Sequence, residues 1–561
     1  MLKKLLYIII YVFLLNTLVI AQGTYIPLNS DAYHLIDRLE IEYGKVLPQF
    51  ATNMKPYNRQ HVAEFLSEIP NQNITGKGKR FDFNHQYLLN ETSEWLKDTA
   101  IASKKRVWIF YPEPASMFMV NKENFVLKVN PVLQVQFGKE TNESSLQFFN
   151  TRGLELRGHI AKRLGYYTYV TTTLARFPSH VQDRIRSEQA IPGEGYWKEY
   201  RVTGQDYFTA RGYITFSAIK DHVNFQFGHD KNFIGNGYRS MILSDFANNN
   251  LFLKIQTKVW RITYTNLFKE LTVQYNRGAD RLLDKKYAAF HHLNIHAAKW
   301  LDIGLYEAVV FRRNNHFELQ YLNPLIFYRA IEQALGSPDN MLLGIDFKAN
   351  MFRHVSLYGQ FVLDEFNSKN IVARNGWWAN KFAAQLGLKY INAFGVQHLD
   401  LQGEFNVARP YMYAHNSSNS NFTHYNQPMA HPLGANFYEA IGILRYQIVK
   451  PLTVTGRIIY AIKGADTTGT NFGGNVFIPS VDPVNAGLNV YQEFGNTITQ
   501  GVKQNIFILN ALATYQIKHN LYADVNMMLR SVASPYDKFD KNALIFNIGF
   551  RWNIPFRTFE F

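Results

Sequence analysis

The sequence predicts an all-β fold: an antiparallel transmembrane outer-membrane β-barrel of about 18 strands, with a small N-terminal periplasmic helical domain. Three observations predict it. Along the last strand Leu544, Phe546, Ile548, Phe550, Trp552 and Ile554 fall on one face and Asn547, Gly549, Arg551 and Asn553 on the other, as a strand between lipid and a polar interior requires. Aromatic residues make up 15% of the chain, with 34 Tyr and 43 Phe, yet mean hydropathy is −0.22. Alternating strands give that combination, because only half of each need be apolar. From Phe125 onward the chain also breaks into alternating pairs joined by very short turns.

At the N-terminus Lys3 and Lys4 precede an apolar run from Leu5 to Ile20, and Val19 and Ala21 supply small residues before Gln22. This is the pattern of a secretory signal peptide over residues 1–21. No cysteine occurs, which excludes disulfides, thiolate metal sites and lipoprotein anchoring. A formal charge of +15 favours anionic neighbours such as lipid phosphates or acidic polysaccharide. The basic residues are scattered rather than clustered, so no nucleic-acid partner is implied.

Residues 22–120 differ in character. Helical patterns cover Asp31 to Tyr43, Arg59 to Ile69 and His85 to Lys97, with Asn58 and Asn84 as N-cap candidates, and they predict a periplasmic helical domain before a barrel over 121–561.

The barrel begins with a lone strand, Phe125 to Phe137. Hairpins then pair Leu146 to Ile160 with Tyr166 to Phe177, Tyr207 to Ala218 with Val223 to Asp230, Leu251 to Thr257 with Trp260 to Phe268, and Tyr287 to Ala298 with Leu301 to Phe311. Four more join Met341 to Ala349 with Val355 to Asp364, Lys381 to Tyr390 with Val396 to Val407, Tyr438 to Gln447 with Leu452 to Ala461, and Ile506 to Ile517 with Leu521 to Ser531. The closing strand is Ala543 to Ile554; "NIGFRWNI" within it has the order of the signal read by the barrel insertion machinery, Pro555 stops it, and the chain ends on Phe561. Short turns face the periplasm in such barrels, which puts both chain ends there. The long connections 178–205, 231–250, 312–340, 408–437 and 462–505 then face outward. Trp260, Trp300 and Trp552 lie near strand ends, where interfacial rings are expected.

Predicted lumen faces carry both signs of charge: Arg211, Asp346, Lys348, Asp400, Glu404, Glu439, Arg445, Arg457, Asp524, Arg530 and Arg551. Charges of opposite sign in a narrow enclosure satisfy one another, which favours an occluded barrel over a wide pore with solvated walls. In "NPLIFYRAIEQALG" Asn323 can cap, Pro324 suits the first helical position and Gly336 can terminate, predicting a helix that folds inward as a plug or packs on neighbouring loops.

Catalytic patterns are missing: neither HExxH nor GxSxG occurs, and the pairs Gly76/Gly78, Gly193/Gly195 and Gly235/Gly237 lack the third glycine of a nucleotide loop. No cofactor is implied. His292 and His296 share a strand face but stand ~13 Å apart, too far to chelate one ion unaided, so no metal site is assigned. Asp364 and Glu365 are neighbours pointing to opposite faces, unlike the converging carboxylates of a glycosidase. The chain therefore reads as non-enzymatic.

The outer loops are rich in aromatics and amides: Tyr196, Trp197 and Tyr200; Phe233, Asn236, Tyr238 and Arg239; Trp377 and Trp378; Tyr411, Tyr413 and the run His415 to Gln427. Sugar rings stack on such aromatics while amides and guanidinium groups bind hydroxyls and carboxylates. Loop packing and a membrane girdle are the alternatives. Tyr238, Arg239, Tyr328, Arg329, Trp377 and Tyr411 are the chosen ligand or plug contacts.

The stretches Thr24 to Gly44, "FGHDKNFIGNGYRSMILSDFANN" from Phe227 to Asn249, "NPLIFYRAIEQALGSPDNMLLGIDFK" from Asn323 to Lys348, Ser356 to Phe366 and "RPYMYAH" from Arg409 to His415 resemble the capsule-assembly Wzi family of outer-membrane proteins. The likeness is to its Bacteroidetes branch, which includes RemB-like gliding-motility proteins. That resemblance implies an 18-stranded barrel with a periplasmic helical bundle, acting as a surface lectin that holds capsular polysaccharide. The loop from Ile462 to Asn505 is longer than the enterobacterial pattern. Three functions follow as expectations: a barrel binding surface polysaccharide, acidic polymer included; a component of gliding or adhesion machinery; or a channel or transporter, which needs an open lumen. Outer-membrane lipid and, during biogenesis, the barrel insertion machinery are the further expected partners.

Overall fold

The computed structural model describes residues 23–47, 50–69, 78–96, 110–141, 143–201, 203–219, 222–274, 282–313, 316–325, 327–336, 339–536 and 539–561. The expected signal peptide lies outside them, as does Ile326.

Three helices come first: α1 (Asp31–Tyr43), α2 (Arg59–Glu68) and α3 (Lys79–Glu91). Gly44 ends α1 in the left-handed conformation, and Asn58 caps α2 by accepting from the Gln60 N–H at 2.8 Å. The third helix starts six residues before the expected position, at Lys79. Asn84 therefore lies inside it and donates to Gln447 Oε1 at 2.9 Å; a cap-forming side chain found a tertiary partner instead. The helices share a core of Ile36, Leu39, Phe50, Tyr57, Val62, Phe65 and Leu88.

Among the described residues eighteen long strands then close into an antiparallel barrel. They are β1 (Phe125–Glu140), β2 (Gln147–Ile160), β3 (Leu164–Arg176), β4 (Gly204–Ile219), β5 (Val223–Asp230), β6 (Asn250–Val259), β7 (Ile262–Thr272), β8 (Lys285–Ala298) and β9 (Leu301–Phe311). The second half comprises β10 (Asn340–Met351), β11 (Val355–Leu363), β12 (Phe382–Tyr390), β13 (Leu399–Ala408), β14 (Phe437–Val449), β15 (Leu452–Ala465), β16 (Val502–Lys518), β17 (Leu521–Ala533) and β18 (Lys541–Trp552). The seam joins β18 to β1 from Trp552↔Leu133 to Ile545↔Glu140. A short strand, Phe118–Lys122, pairs with β1 below the seam, from Phe118↔Val129 to Lys122↔Phe125. Pro131, which can give no ladder bond, stands between the two pairings.

Outward positions are bulky and exposed along the ladder, among them Phe208, Phe227, Leu386, Ile548 and Phe550, and inward ones are polar. Two expectations change at the end of β18. The strand stops at Trp552, and Ile554, expected on the lipid face, turns inward to pack with Val132 and Tyr25. Residues 555–561 then run back through the lumen, where Phe561 lies against Phe246 and His180.

Candidate functional site

Three inserts fill the lumen. From the short-turn end comes α1, a helix whose charged side chains are buried because the wall answers them. Arg38 pairs with Asp400 and, at 2.9 Å, with Glu42; His34 meets Asp400 at 2.9 Å; Glu40 pairs with Lys348; and Asp37 meets Lys389 at 2.5 Å. Burial and the Arg445 charge push the His34 imidazolium down to about 4, so His34 is neutral near pH 7. Burial would raise the Asp37 carboxyl, but Lys389 and Lys348 outweigh it and hold the group low.

From the long-loop end the segment 231–249 descends until Phe233 and Ile234 pair with Lys55 and Met54 of the N-terminal region. Glu404 on β13 pins this segment by accepting from the Tyr238 N–H at 2.7 Å and the Arg239 N–H at 3.0 Å. Gly237 permits the approach: a Cβ there would lie 2.6 Å from Glu404 Oε2. The third insert is the tail. Arg557 pairs with Glu194 at 3.2 Å, and Glu560 accepts from Arg457 at 2.7 Å and from the Tyr238 hydroxyl at 2.5 Å. A cavity of about 470 Å³ remains among α1, the tail and strands β12 to β18.

The mixed charges expected on the lumen wall are thus matched mainly by inserted segments. Within the wall itself Arg551 pairs with Asp524 at 2.7 Å. His292 is held by Asp346 at 2.6 Å and His296 by Asp302 at 2.5 Å, so each of the two expected strand-mates has a carboxylate of its own.

Above the lumen the long loops form a cap. Tyr411 is fully buried; its hydroxyl donates to Asn471 O and accepts from the Tyr491 N–H, both at 2.9 Å. Trp378 crosses Tyr411 edge-on at 5.9 Å, with Trp377 beside it, partly exposed. The Trp377 loop is sewn to 489–496 by Trp378 N–H to Glu493 O at 2.9 Å, Gly495 N–H to Asn375 O at 2.8 Å and Asn496 N–H to Gly376 O at 2.9 Å. Gly376 has φ +67°, and a Cβ there would meet Asn496 N at 2.8 Å. The outcome is a pair of stitched loops, one carrying the partly exposed Trp377 beside Asn375, the other Tyr491 and Phe494, 50% and 46% exposed, beside Gln492 and Glu493; the Tyr491 ring rests on Phe472 at 4.6 Å. Rings with one free face and amides beside them can stack on a pyranose and bind its hydroxyls.

The six chosen residues fall in three places. Tyr238 and Arg239 are inside the lumen, where Arg239 pairs with Glu439 at 3.3 Å. Trp377 is on the cap surface and Tyr411 beneath it. Tyr328 and Arg329 are on the outside of the barrel: after α4 (Ser179–Glu188) the chain forms a helix α5 (Tyr328–Leu335) that covers the wall, so the expected plug helix is not in the lumen. It also begins four residues after Pro324, because Asn323 Oδ1 accepts from the Leu325 N–H in a local turn. The amide run His415 to Gln427 is largely buried as well: Asn421 and Thr423 bind Lys286, and Gln427 binds the 191–193 backbone. Buried loop backbones consumed those amides. Tyr491 and Phe494 went unchosen, although "NVYQEFGN", with aromatics among Asn and Gln, carries the same signal as the chosen loops.

The family model described as capsule assembly protein Wzi matches residues 123–528. Among solved structures, an Escherichia coli protein described as Wzi, an outer membrane protein involved in group 1 capsule assembly and a carbohydrate-binding β-barrel, is similar with a TM-score of 0.53 at 11% identity, covering 96% of this chain and 100% of that one. Pseudomonas aeruginosa OprD gives 0.41 at 10% identity, covering 76% of this chain and 94% of that one. Acinetobacter baumannii OccAB2 gives 0.41 at 8% identity, covering 76% and 98%. No curated protein matches.

Proposed function

We propose, from the premise that this chain belongs to the capsule assembly protein Wzi family, that it is a non-enzymatic outer-membrane barrel that binds polysaccharide at the cell surface. One observation carries the reading: an aromatic and amide surface at Trp377, Tyr491 and Phe494 crowns a barrel whose lumen is filled by α1, the 231–249 segment and the tail. A filled lumen serves attachment and works against a diffusion channel. The E. coli relative is described as carbohydrate-binding, which supports the ligand class. In the proposed orientation the long loops face outward, and both chain ends and the helical domain, residues 22–120, face the periplasm. The formal charge of +15 favours an acidic polymer.

The test is a deletion strain assayed for cell-bound and shed polysaccharide. Polymer made in normal amount but released into the medium supports the reading. Polymer retained alongside a spreading defect overturns it in favour of a gliding or adhesion role. Large steady conductance of the purified protein in planar bilayers overturns it in favour of a channel.

A further inference from the structure

The outer wall of the barrel carries a polar spot where lipid is expected. Outward positions on β7, β8 and β9 include Asn266, His291 and Glu307, which neighbour one another across the ladder as Asn266↔His291 and His291↔Glu307. Glu307 lies opposite Leu343 of β10, itself opposite Leu363 of β11, so this row continues into the apolar band. Bare, an acid there would face hydrocarbon, which disfavours a charge most near mid-membrane and less toward the interface.

The connection between β9 and β10 covers the spot. His291 Nδ1 and Glu307 Oε1 pair at 2.7 Å, and Glu307 Oε2 accepts from the Tyr328 N–H at the start of α5 at 3.2 Å. The Tyr328 ring stacks on the His291 ring at 4.0 Å, and the Tyr264 hydroxyl donates to Pro324 O at 2.6 Å. Asn266, His291, Glu307 and Tyr328 are all buried as a result.

What the cover shows on its other side is apolar. Leu319, Leu325 and Phe327 are 73%, 86% and 75% exposed, beside the lipid-facing Leu305, Leu343 and Ile345 of the wall. Exposed side chains of this size beside a lipid-facing wall mark a membrane contact. We propose that residues 316–325 and 327–336 form a lateral flap that binds the acyl chains of membrane lipid. Leu319, Leu325 and Phe327 enter the hydrocarbon, and α5 screens His291 and Glu307 from it. The apolar face continues an established lipid-facing wall, which fixes its occupant as lipid.

The chain has no cysteine, so single substitutions label cleanly. Leu325→Cys and Phe327→Cys would each carry a nitroxide, with the protein in phosphatidylcholine vesicles, and collision rates with oxygen and with a water-soluble nickel chelate would be read. Outward Leu386→Cys supplies the lipid reference and loop Val484→Cys the water reference. The expected result is a shift of the oxygen-to-nickel ratio at both flap sites to the lipid reference. Ratios at the water reference overturn the proposal, as does burial from both reagents, which would place the face against protein. Both substituted side chains are largely exposed, so neither change removes core packing.

Discussion

Docking of α1 against the wall rests on Asp400, and Asp400→Asn is the sharpest way to probe it. The carboxylate takes Arg38 and His34 together, and all but a few per cent of the Arg38 and Asp400 side chains is buried. Removing one member of a buried pair costs about 3–5 kcal/mol, because its partner's charge is left behind. Arg38 retains Glu42 and Asn392, both at 2.9 Å, so the lower end applies, about 3 kcal/mol. At 1.4 kcal/mol per decade this raises the undocked population of α1 about a hundredfold. Hydrogen exchange of the α1 amides is the assay. Exchange should quicken by about two decades in Asp400→Asn while the strand amides stay protected. Replacing the three charges together, as Arg38→Met with Glu42→Gln and Asp400→Leu, should recover most of that protection, since no charge is then stranded. Unchanged exchange in the single variant would refute the reasoning, because the ion pair would then contribute nothing to holding the helix.

Asp364 sits buried at the floor of the cap, beside Lys381 at 3.9 Å, and burial pushes its carboxyl up to about 7. A folded value above the free one means that no cost exists below about pH 4, that stability falls as pH rises from about 4 to 7, and that the full cost is present above. Asp364→Asn should flatten this slope in denaturant titrations at successive pH values, a gain on the order of 1–3 kcal/mol at pH 8; an unaltered slope counts against it. Tyr411→Phe removes the hydroxyl that holds Tyr491 and Asn471 without altering the exposed surface. Glycan affinity should drop several-fold, on the order of 1 kcal/mol, by titration calorimetry. Trp377→Ala should lower the same affinity by about tenfold while lowering the melting temperature of the protein only slightly, as expected of a partly exposed stacking ring at the edge of the Trp378–Tyr411 cluster.

Much of the wall was legible because period-two alternation is imposed at every residue by lipid on one side and water on the other. The seam, the short turns and the inward charges Asp346, Lys348, Asp400, Glu439 and Arg551 all follow from that one constraint. Helix starts were less legible: the third helix began at Lys79 because Asn84 found Gln447, a contact no local pattern encodes. The candidate surface was legible only as a set of loops rich in aromatic and amide residues. Burial sorts those residues, and burial depends on which loop lies over which. Tyr411 and Trp377 look equivalent in sequence, yet one is structural support and the other surface. The apolar loop helix around Tyr328 needs cover, which its own sequence lets come from the lumen or from neighbouring loops; two outward polar residues, His291 and Glu307, are the signal that cover lies outside.

The two-residue ladder joining Met54–Lys55 to Phe233–Ile234 spans what are otherwise opposite mouths of the cylinder. A pull on the long-loop crown would pass in part down the descending segment into the N-terminal helices rather than around the hoop. The molecule is in this sense rigged like a mast stayed from within: force on its top is felt at its foot.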